Sequence, residues 1–224
     1  GWFSTATLLG RFMAPLIGGT IIGAMALNQG GGFAAVYVVS GIAGAITFLM
    51  AVFLPQPAEA PPRNQSWAET FNAFKRVTAD RAIVLTCAVE AAILFAYGTF
   101  ETFLPLYSVS LGISPYEVGI FLSAQVITLA LSKPLMGRFS DSHGRKPQIF
   151  AGALTGAACI GCFSLFSSFI PLLIMSVAFG MSLSIVTSAT SAYIADLSSR
   201  EARGSAMGLL GSIMDIGHTA GPLF

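Results

Sequence analysis

Apolar stretches of the length that crosses a lipid bilayer follow one another through this chain, at 2–27, 33–54, 82–106, 115–136, 148–167, 170–194 and 204–224. An α-helix rises about 1.5 Å per residue, so each stretch can span a hydrocarbon layer about 30 Å thick. Strands of a membrane barrel would be about ten residues long and alternate in polarity. These segments do neither. Charge is scarce to match, with 11 Lys+Arg and 10 Asp+Glu among 224 residues. Charged residues amount to 9%, against roughly 25% in a soluble domain. The chain therefore reads as an all-α polytopic membrane protein whose first partner is the bilayer. A net charge of +1 carries no polyanion signal, and no nucleic-acid partner is expected. Cys87, Cys159 and Cys162 are too few and too deeply set in apolar sequence for a disulfide framework. Cys159-x-x-Cys162 lacks two further ligands, so neither metal nor cofactor is expected.

The connecting loops differ in charge. Every Lys and Arg except Arg11 falls in the loops 55–81, 137–147 and 195–203 or at the adjoining Lys133. The intervening loops 28–32, 107–114 and 168–169 hold none. Basic loops stay on the cytoplasmic side, which puts the first residue inside and the last outside. The loop 55–81 is the long one and opens on Pro55, Pro57, Pro61 and Pro62, which end any helix. Ser66 and Glu69 then have capping-box spacing, and Trp67, Phe71 and Phe74 share a helical face. A short amphipathic helix on the inner membrane surface is the expectation. The chain accordingly divides into 1–54, a central loop 55–81, and 82–224.

The two ends of the chain match. Gly1, Gly10, Pro15 and Leu16 recur as Gly208, Gly217, Pro222 and Leu223, at a constant offset of 207 residues. Ala14 answers Gly221. The offset crosses six spans, an even number, so the copies run in the same direction, as in transporters built from two parallel six-helix halves. On this reading a full protein has twelve helices, and this chain is a piece of it.

After the fourth span stands Gly137-Arg138-Phe139-Ser140-Asp141-Ser142-His143-Gly144-Arg145-Lys146-Pro147. This resembles the signature loop of the major facilitator superfamily, with Ser142 where a basic residue is usual. Asp196 and Arg203-Gly204 resemble the charged end of that family's tenth helix and the loop beyond. Gly10, Ala14, Pro15, Gly18 and Gly19 resemble the Gly-Pro motif on the fifth helix of its drug–proton antiporters, with Ala14 replacing a Gly. Gly217, Gly221 and Pro222 form the counterpart on the eleventh. The resemblance implies a major-facilitator fold, of which this chain supplies helices five to eleven. It also implies a conformational-switch role for Gly137, Asp141, Gly144, Arg145, Lys146, Asp196 and Arg203. Gly137 and Gly144 suit a tight turn, and Asp141 suits a helix cap or a guanidinium partner.

Ionisable groups inside a membrane are costly and mark function by default. Asp215 lies about ten residues into the last span, and His218 shares its helical face three residues on, a proton-binding pair on spacing alone. Glu90 sits near the middle of its span. Glu101 follows 11 residues later on the same face, close to the outer surface. Arg11 is the one basic residue inside a span, suited to an anion or a carboxylate partner. Gln125 lies mid-span and can bond a substrate. Ser184, Thr187, Ser188 and Ser191 form a polar stripe best read as helix-packing hydroxyls.

Seven helices also raise a receptor or retinal-protein reading. The charge pattern of the loops opposes it, and none of Lys75, Lys133 and Lys146 lies in the last span. No HExxH or GxSxG motif suggests an enzyme. The function implied by the resemblance is proton-coupled export of small organic, amphiphilic or drug-like molecules by alternating access, from a monomer in the cell membrane. The alternatives are a proton-coupled importer of a sugar-like or organic-anion metabolite, and a membrane sensor that moves nothing.

Overall fold

The computed structural model describes residues 2–25, 31–53, 75, 78–199 and 202–223. Seven helices and one short 3-10 turn make up the main secondary structure of these residues, and Lys75, Thr78 and Ala79 are also helical. The helices are α1 (Trp2–Ala24), α2 (Gly31–Val52), α3 (Arg81–Ser110), α4 (Pro115–His143), α5 (Arg145–Phe163), α6 (Phe169–Leu197) and α7 (Arg203–Ala220), with the turn at Gly221–Leu223. No strand occurs among the described residues. The amphipathic helix expected from Ser66 onward lies outside the described residues.

Local chemistry sets the helix ends. Asp80 caps α3 by accepting from the backbone N–H groups of Ala82 and Ile83. Ser114 and Glu117 form a capping box at α4, with Pro115 at its first turn. Between α3 and α4, Gly112 takes φ 74°, a left-handed conformation that favours glycine.

Among the described residues four helices, α2, α3, α4 and α6, are long and apolar enough to cross a membrane by themselves. Helices α5 and α7 are only 19 and 18 residues long, and α1 carries Arg11 among its glycines.

The signature segment differs more sharply from expectation. Residues 137–147 are not a loop: α4 continues to His143 and α5 starts at Arg145, so Gly144 alone turns the chain, at φ 92°. Gly137 stands inside α4 and Asp141 caps nothing. At 29 residues and about 1.5 Å each, α4 is longer than the hydrocarbon layer is thick. Its polar last turns can therefore project beyond the lipid while every backbone group stays bonded within the helix.

Helices α3, α4 and α6 enclose the main core, where Phe100 packs against Phe179 and Phe121 against Phe169. A second cluster ties Ile83 and Cys87 of α3 to Ile194 of α6 and Leu209 and Leu210 of α7. Helix α5 packs on α6, α1 packs on α4, and α2 touches α1 alone among the described helices.

Helices do not associate in lipid by a hydrophobic drive, so close backbone approach has to supply the attraction. Small residues permit it here. A Cβ placed on Gly19 would stand 2.6 Å from the Pro115 carbonyl oxygen, and one on Gly119 would stand 2.6 Å from that of Pro15. Gly18, its neighbour in the same motif, faces open space. The α3–α7 crossing repeats the device, since a Cβ on Gly98 would collide with the His218 carbonyl and one on Gly217 with that of Ala91. Ser123 of α4 adds a hydrogen bond to the Phe12 carbonyl of α1 at 2.9 Å. A Gly119→Leu substitution is expected to cost about 1–3 kcal/mol through overpacking. Gly137→Ala, which meets nothing within 4 Å, should leave stability unchanged or slightly higher. Thermal unfolding of the detergent-solubilised protein, followed by thiol-dye reaction at buried Cys87, distinguishes the two.

Candidate functional site: a cavity between α1, α3 and α4

Two positions on α3, Tyr97 and Glu101, are one helical turn apart and share a face. That face meets Arg11, Ala14 and Pro15 of α1 and Gln125 of α4 around a cavity of about 190 Å³. The Arg11 guanidinium donates to the Tyr97 hydroxyl at 2.9 Å, with its carbon 5.8 Å from the centre of the Tyr97 ring. The other side of this cluster belongs to α7. His218 stacks on Tyr97 with ring centres 5.0 Å apart, and its Nε2 lies 3.0 Å from the Glu101 carboxylate. Gln125 is 1% exposed, and both atoms of its amide lack a bonding partner among the described residues. A guanidinium, a carboxylate and an unengaged amide thus meet at one cavity, and the imidazole of α7 backs the carboxylate.

The structure therefore brings Arg11, Glu101, Gln125 and His218 together. It separates them from Asp215 and Glu90. The pairing of His218 with Asp215 is not what the fold makes. Asp215 is exposed and forms no ion pair among the described residues, while the imidazole turns to Glu101 of the neighbouring helix. Spacing placed the two residues on one face, but the close crossing at Gly98 decides which carboxylate the ring can reach. Glu90 is fully buried between α3 and α6. Its Oε2 and the Thr190 hydroxyl share a short hydrogen bond, and its Oε1 is unpartnered among the described residues.

At the basic end of the bundle, Arg145 bridges two carboxylates. One nitrogen meets Asp141 in the preceding helix, and Nε donates to Asp196 of α6 at 3.0 Å. Partial burial works against the charge on Arg145, but bonds and attraction from Asp196 and Asp141 outweigh it and raise its pKa. Lys146 instead lies over the Tyr193 ring at 5.9 Å. Arg203 donates to the Ala195 carbonyl at 3.3 Å, which fastens the start of α7 to the end of α6.

Three residues now in view escaped the reading of the sequence. Tyr97 is an aromatic among many, and its only signal is its position seven residues after Glu90 and four before Glu101. Thr190 belongs to the same face of α6 as Thr187 but was hidden in a run of small polar residues. Gln148 is 5% exposed and donates to the Met136 carbonyl at 2.9 Å, which stitches α5 to α4 beside the Gly144 turn.

Residues 87–224 match the family model of the Major Facilitator Superfamily. Among curated proteins, the chain is 29% identical over 124 residues to the multi-drug resistance efflux pump PmrA of Streptococcus pneumoniae, covering 54% of this chain and 31% of that one. It is 31% identical over 138 residues to the uncharacterized MFS-type transporter YfkF of Bacillus subtilis, covering 59% and 34%. To the quinolone resistance protein NorA of Staphylococcus aureus it is 25% identical over 130 residues, covering 58% and 34%. The chain thus matches about a third of the length of these curated relatives.

Both acids at Arg145 are more than half exposed, and solvent-exposed pairs are worth about 0–1 kcal/mol each. Asp141→Asn and Asp196→Asn are therefore each expected to lower stability by less than about 1 kcal/mol. In Arg145→Ala their effects should vanish, because the partner they share is gone. A double-mutant cycle on unfolding midpoints measures this.

Proposed function

The chain belongs to the major facilitator superfamily, and we propose that it forms part of a proton-driven exporter of small amphiphilic organic molecules. In this reading α1 and α2 close one six-helix half, α3 to α7 open the other, and the halves rock about the cavity between them. The observation that carries the reading is the cavity itself. Arg11 comes from one side of the α1–α4 contact, and Tyr97, Glu101 and Gln125 come from the other, with His218 bonded to Glu101 from behind. Such a site changes whenever the two sides move. PmrA and NorA are named for resistance to drugs, which favours export over uptake.

Within this reading, two proton sites lie along α3. Glu101 and His218 share one hydrogen bond, so a proton arriving at either is held between them and loosens the pull of Glu101 on neighbouring cations. Glu90 is the sealed store. The Thr190 hydroxyl lies within bonding distance of both Glu90 and the Val186 carbonyl, 2.9 Å away, yet has one hydrogen to give. A protonated Glu90 donates to Thr190 Oγ1 and lets Thr190 donate to Val186, so both bonds form at once. A charged Glu90 has to take the hydrogen from Val186. Asp215, exposed on α7, is a further acid for the same cycle.

Arg11 and the unengaged amide of Gln125 support a second reading, uptake of an organic anion held by its carboxylate. Reconstituted whole protein separates the two. With a proton gradient imposed across liposomes, the exporter reading expects accumulation of an amphiphilic dye against its gradient. Glu101→Gln and Glu90→Gln are each expected to lower that flux about tenfold, the loss of roughly 1.4 kcal/mol of drive or stabilisation. Full gradient-driven flux in both variants would overturn proton coupling at α3. Dye-insensitive uptake of a carboxylate lost in Arg11→Gln would favour the second reading.

A further inference from the structure

The polar stripe of α6 holds two kinds of hydroxyl. Ser188 and Ser191 donate to the carbonyls of Ile185 and Thr187 in their own helix, at 3.3 and 2.7 Å, as packing hydroxyls do. Ser184 and Thr187 do not. They are 0% and 5% exposed, and neither hydroxyl has a partner among the described residues. Both oxygens are closed over by the bundle, so helices packed around its outside cannot reach them. Gln125 of α4 is in the same condition at both atoms of its amide. The three belong to one seam. A Cβ on Gly180 would stand 2.4 Å from the Gln125 carbonyl oxygen, which sets that face of α6 against α4. Ser184 and Thr187 follow on the same face, four and seven residues on. Three residues further comes Thr190, bonded to Glu90 of α3. Each step of three residues advances about 4.5 Å along α6 and turns about 60° around it. The series Ser184, Thr187, Thr190 thus passes from the α4 side of α6 to its α3 side, and joins Gln125 at the cavity to Glu90.

We propose that this series is the route by which a proton moves between the cavity and Glu90, carried by Ser184, Thr187 and Thr190 with water held between them. The inference rests on the reading of Glu90 as a proton site. A hydroxyl can accept one hydrogen while giving up its own, and an unengaged one does so without first breaking a bond. Buried polar atoms without a protein partner are also where internal water is held. The proton leaves the Glu101–His218 pair on a water that the Gln125 amide orients while keeping its own hydrogens. Each oxygen along the series then takes a hydrogen on one side and releases one on the other. At the end Thr190 receives a hydrogen, and its own passes to Glu90 Oε2. The net change is one proton lost at the cavity and one O–H bond formed on Glu90. The hydrogen now on Thr190 points to the Val186 carbonyl, 2.9 Å away, which is the fully bonded arrangement of a protonated Glu90. Motion passes along α3, whereas the proton takes this separate path along α6.

The test uses the whole protein reconstituted in lipid, with the carboxylic acid stretch of Glu90 followed by infrared spectroscopy after transfer to heavy water. The band is identified by its loss in Glu90→Gln, and its shift on deuteration times the arrival of a deuteron. Ser184→Ala and Thr187→Val should each slow that shift about tenfold, the effect on rate of losing one hydrogen bond to a charged group. Thr187→Ser should keep the wild-type rate, because it keeps the hydroxyl. Ser191→Ala, which removes a hydroxyl already bonded to a carbonyl, should also leave the rate unchanged. Melting temperatures show which variants are folded, and Ser184→Ala, smaller by one atom, carries the test where Thr187→Val does not fold. No exchange in wild type, or exchange as fast in the folded variants as in wild type, overturns the route and leaves Glu90 as a proton site. Equal slowing in Ser191→Ala overturns it too, since any loosening of the seam would then suffice. Absence of a protonated Glu90 band at every pH overturns the reading of Glu90 and the route with it.

Discussion

Where α1 crosses α4, backbone lies on backbone. Gly19 faces the Pro115 carbonyl and Gly119 faces that of Pro15, each too near for a side chain. In lipid the surroundings are as apolar as a leucine, so exchanging lipid contacts for helix contacts gains little unless the surfaces fit closely. The two glycine crossings supply that fit, and the cavity follows from them. Pro15, which packs on Gly119, also lines the cavity one turn beyond Arg11. At the α3–α7 crossing the His218 backbone reaches Gly98, the residue next to Tyr97. The stack of His218 on Tyr97 is a direct consequence. A β-carbon at Gly98 would push α7 away and take the imidazole out of reach of Glu101. The same small residues that hold the bundle together therefore set the distances between its charged groups.

How far the sequence disclosed this can be judged residue by residue. Apolar length located all seven helices, and every end but that of α4 to within four residues, because in a membrane every backbone group must be bonded within its own helix and nothing competes with that demand. The same logic failed at Gly137–Pro147, where polar composition suggested a loop. Outside lipid a helix needs no apolar side chains, so composition no longer distinguishes it from a turn, and only Gly144 marks the true break. At the site, cost did the disclosing. Arg11, Glu90, Glu101 and Asp215 stood out because charge in lipid is expensive, and three of the four are drawn into the bundle or its cavity. Pairing was not legible. Spacing along one helix linked His218 to Asp215, but the partner came from another helix across a crossing angle that no single segment encodes. Tyr97 and Thr190 carry no charge and so gave no cost to notice.

The bridge at Arg145 shows a different use of charge. Its acids are largely in water, where an ion pair contributes little stability. Its geometry is nonetheless specific, since Asp141 belongs to α4, Asp196 to α6, and the guanidinium to the first residue of α5. Gly144, with its left-handed φ, is what lets α5 begin immediately after α4 and presents Arg145 to both. An interaction of small net energy that ties three helix ends suits a latch, which has to open as readily as it closes. A strong pair at this position would trap one state.

Helix α3 carries its two carboxylates under opposite conditions, and the contrast bears on how protons could drive motion. Glu101 is near half exposed and already shares a bond with an imidazole. Glu90, 11 residues earlier and so about 16 Å along the axis, is sealed from solvent and, among the described residues, bonded only to Thr190. Tyr97 lies between them on the same stripe. On the proposed reading the sealed conformation is the one in which Glu90 keeps its proton, because only then do Glu90, Thr190 and Val186 satisfy one another with the hydrogens available. Losing that proton leaves a carboxylate buried with one oxygen unpaired, a state costly in a dry interior and relieved by letting water reach it. Relief requires α3 to part from α6, and α3 also carries Tyr97 and Glu101. Deprotonation at Glu90 would thus be felt at the cavity through the rigid length of a single helix, with no relay of intervening side chains.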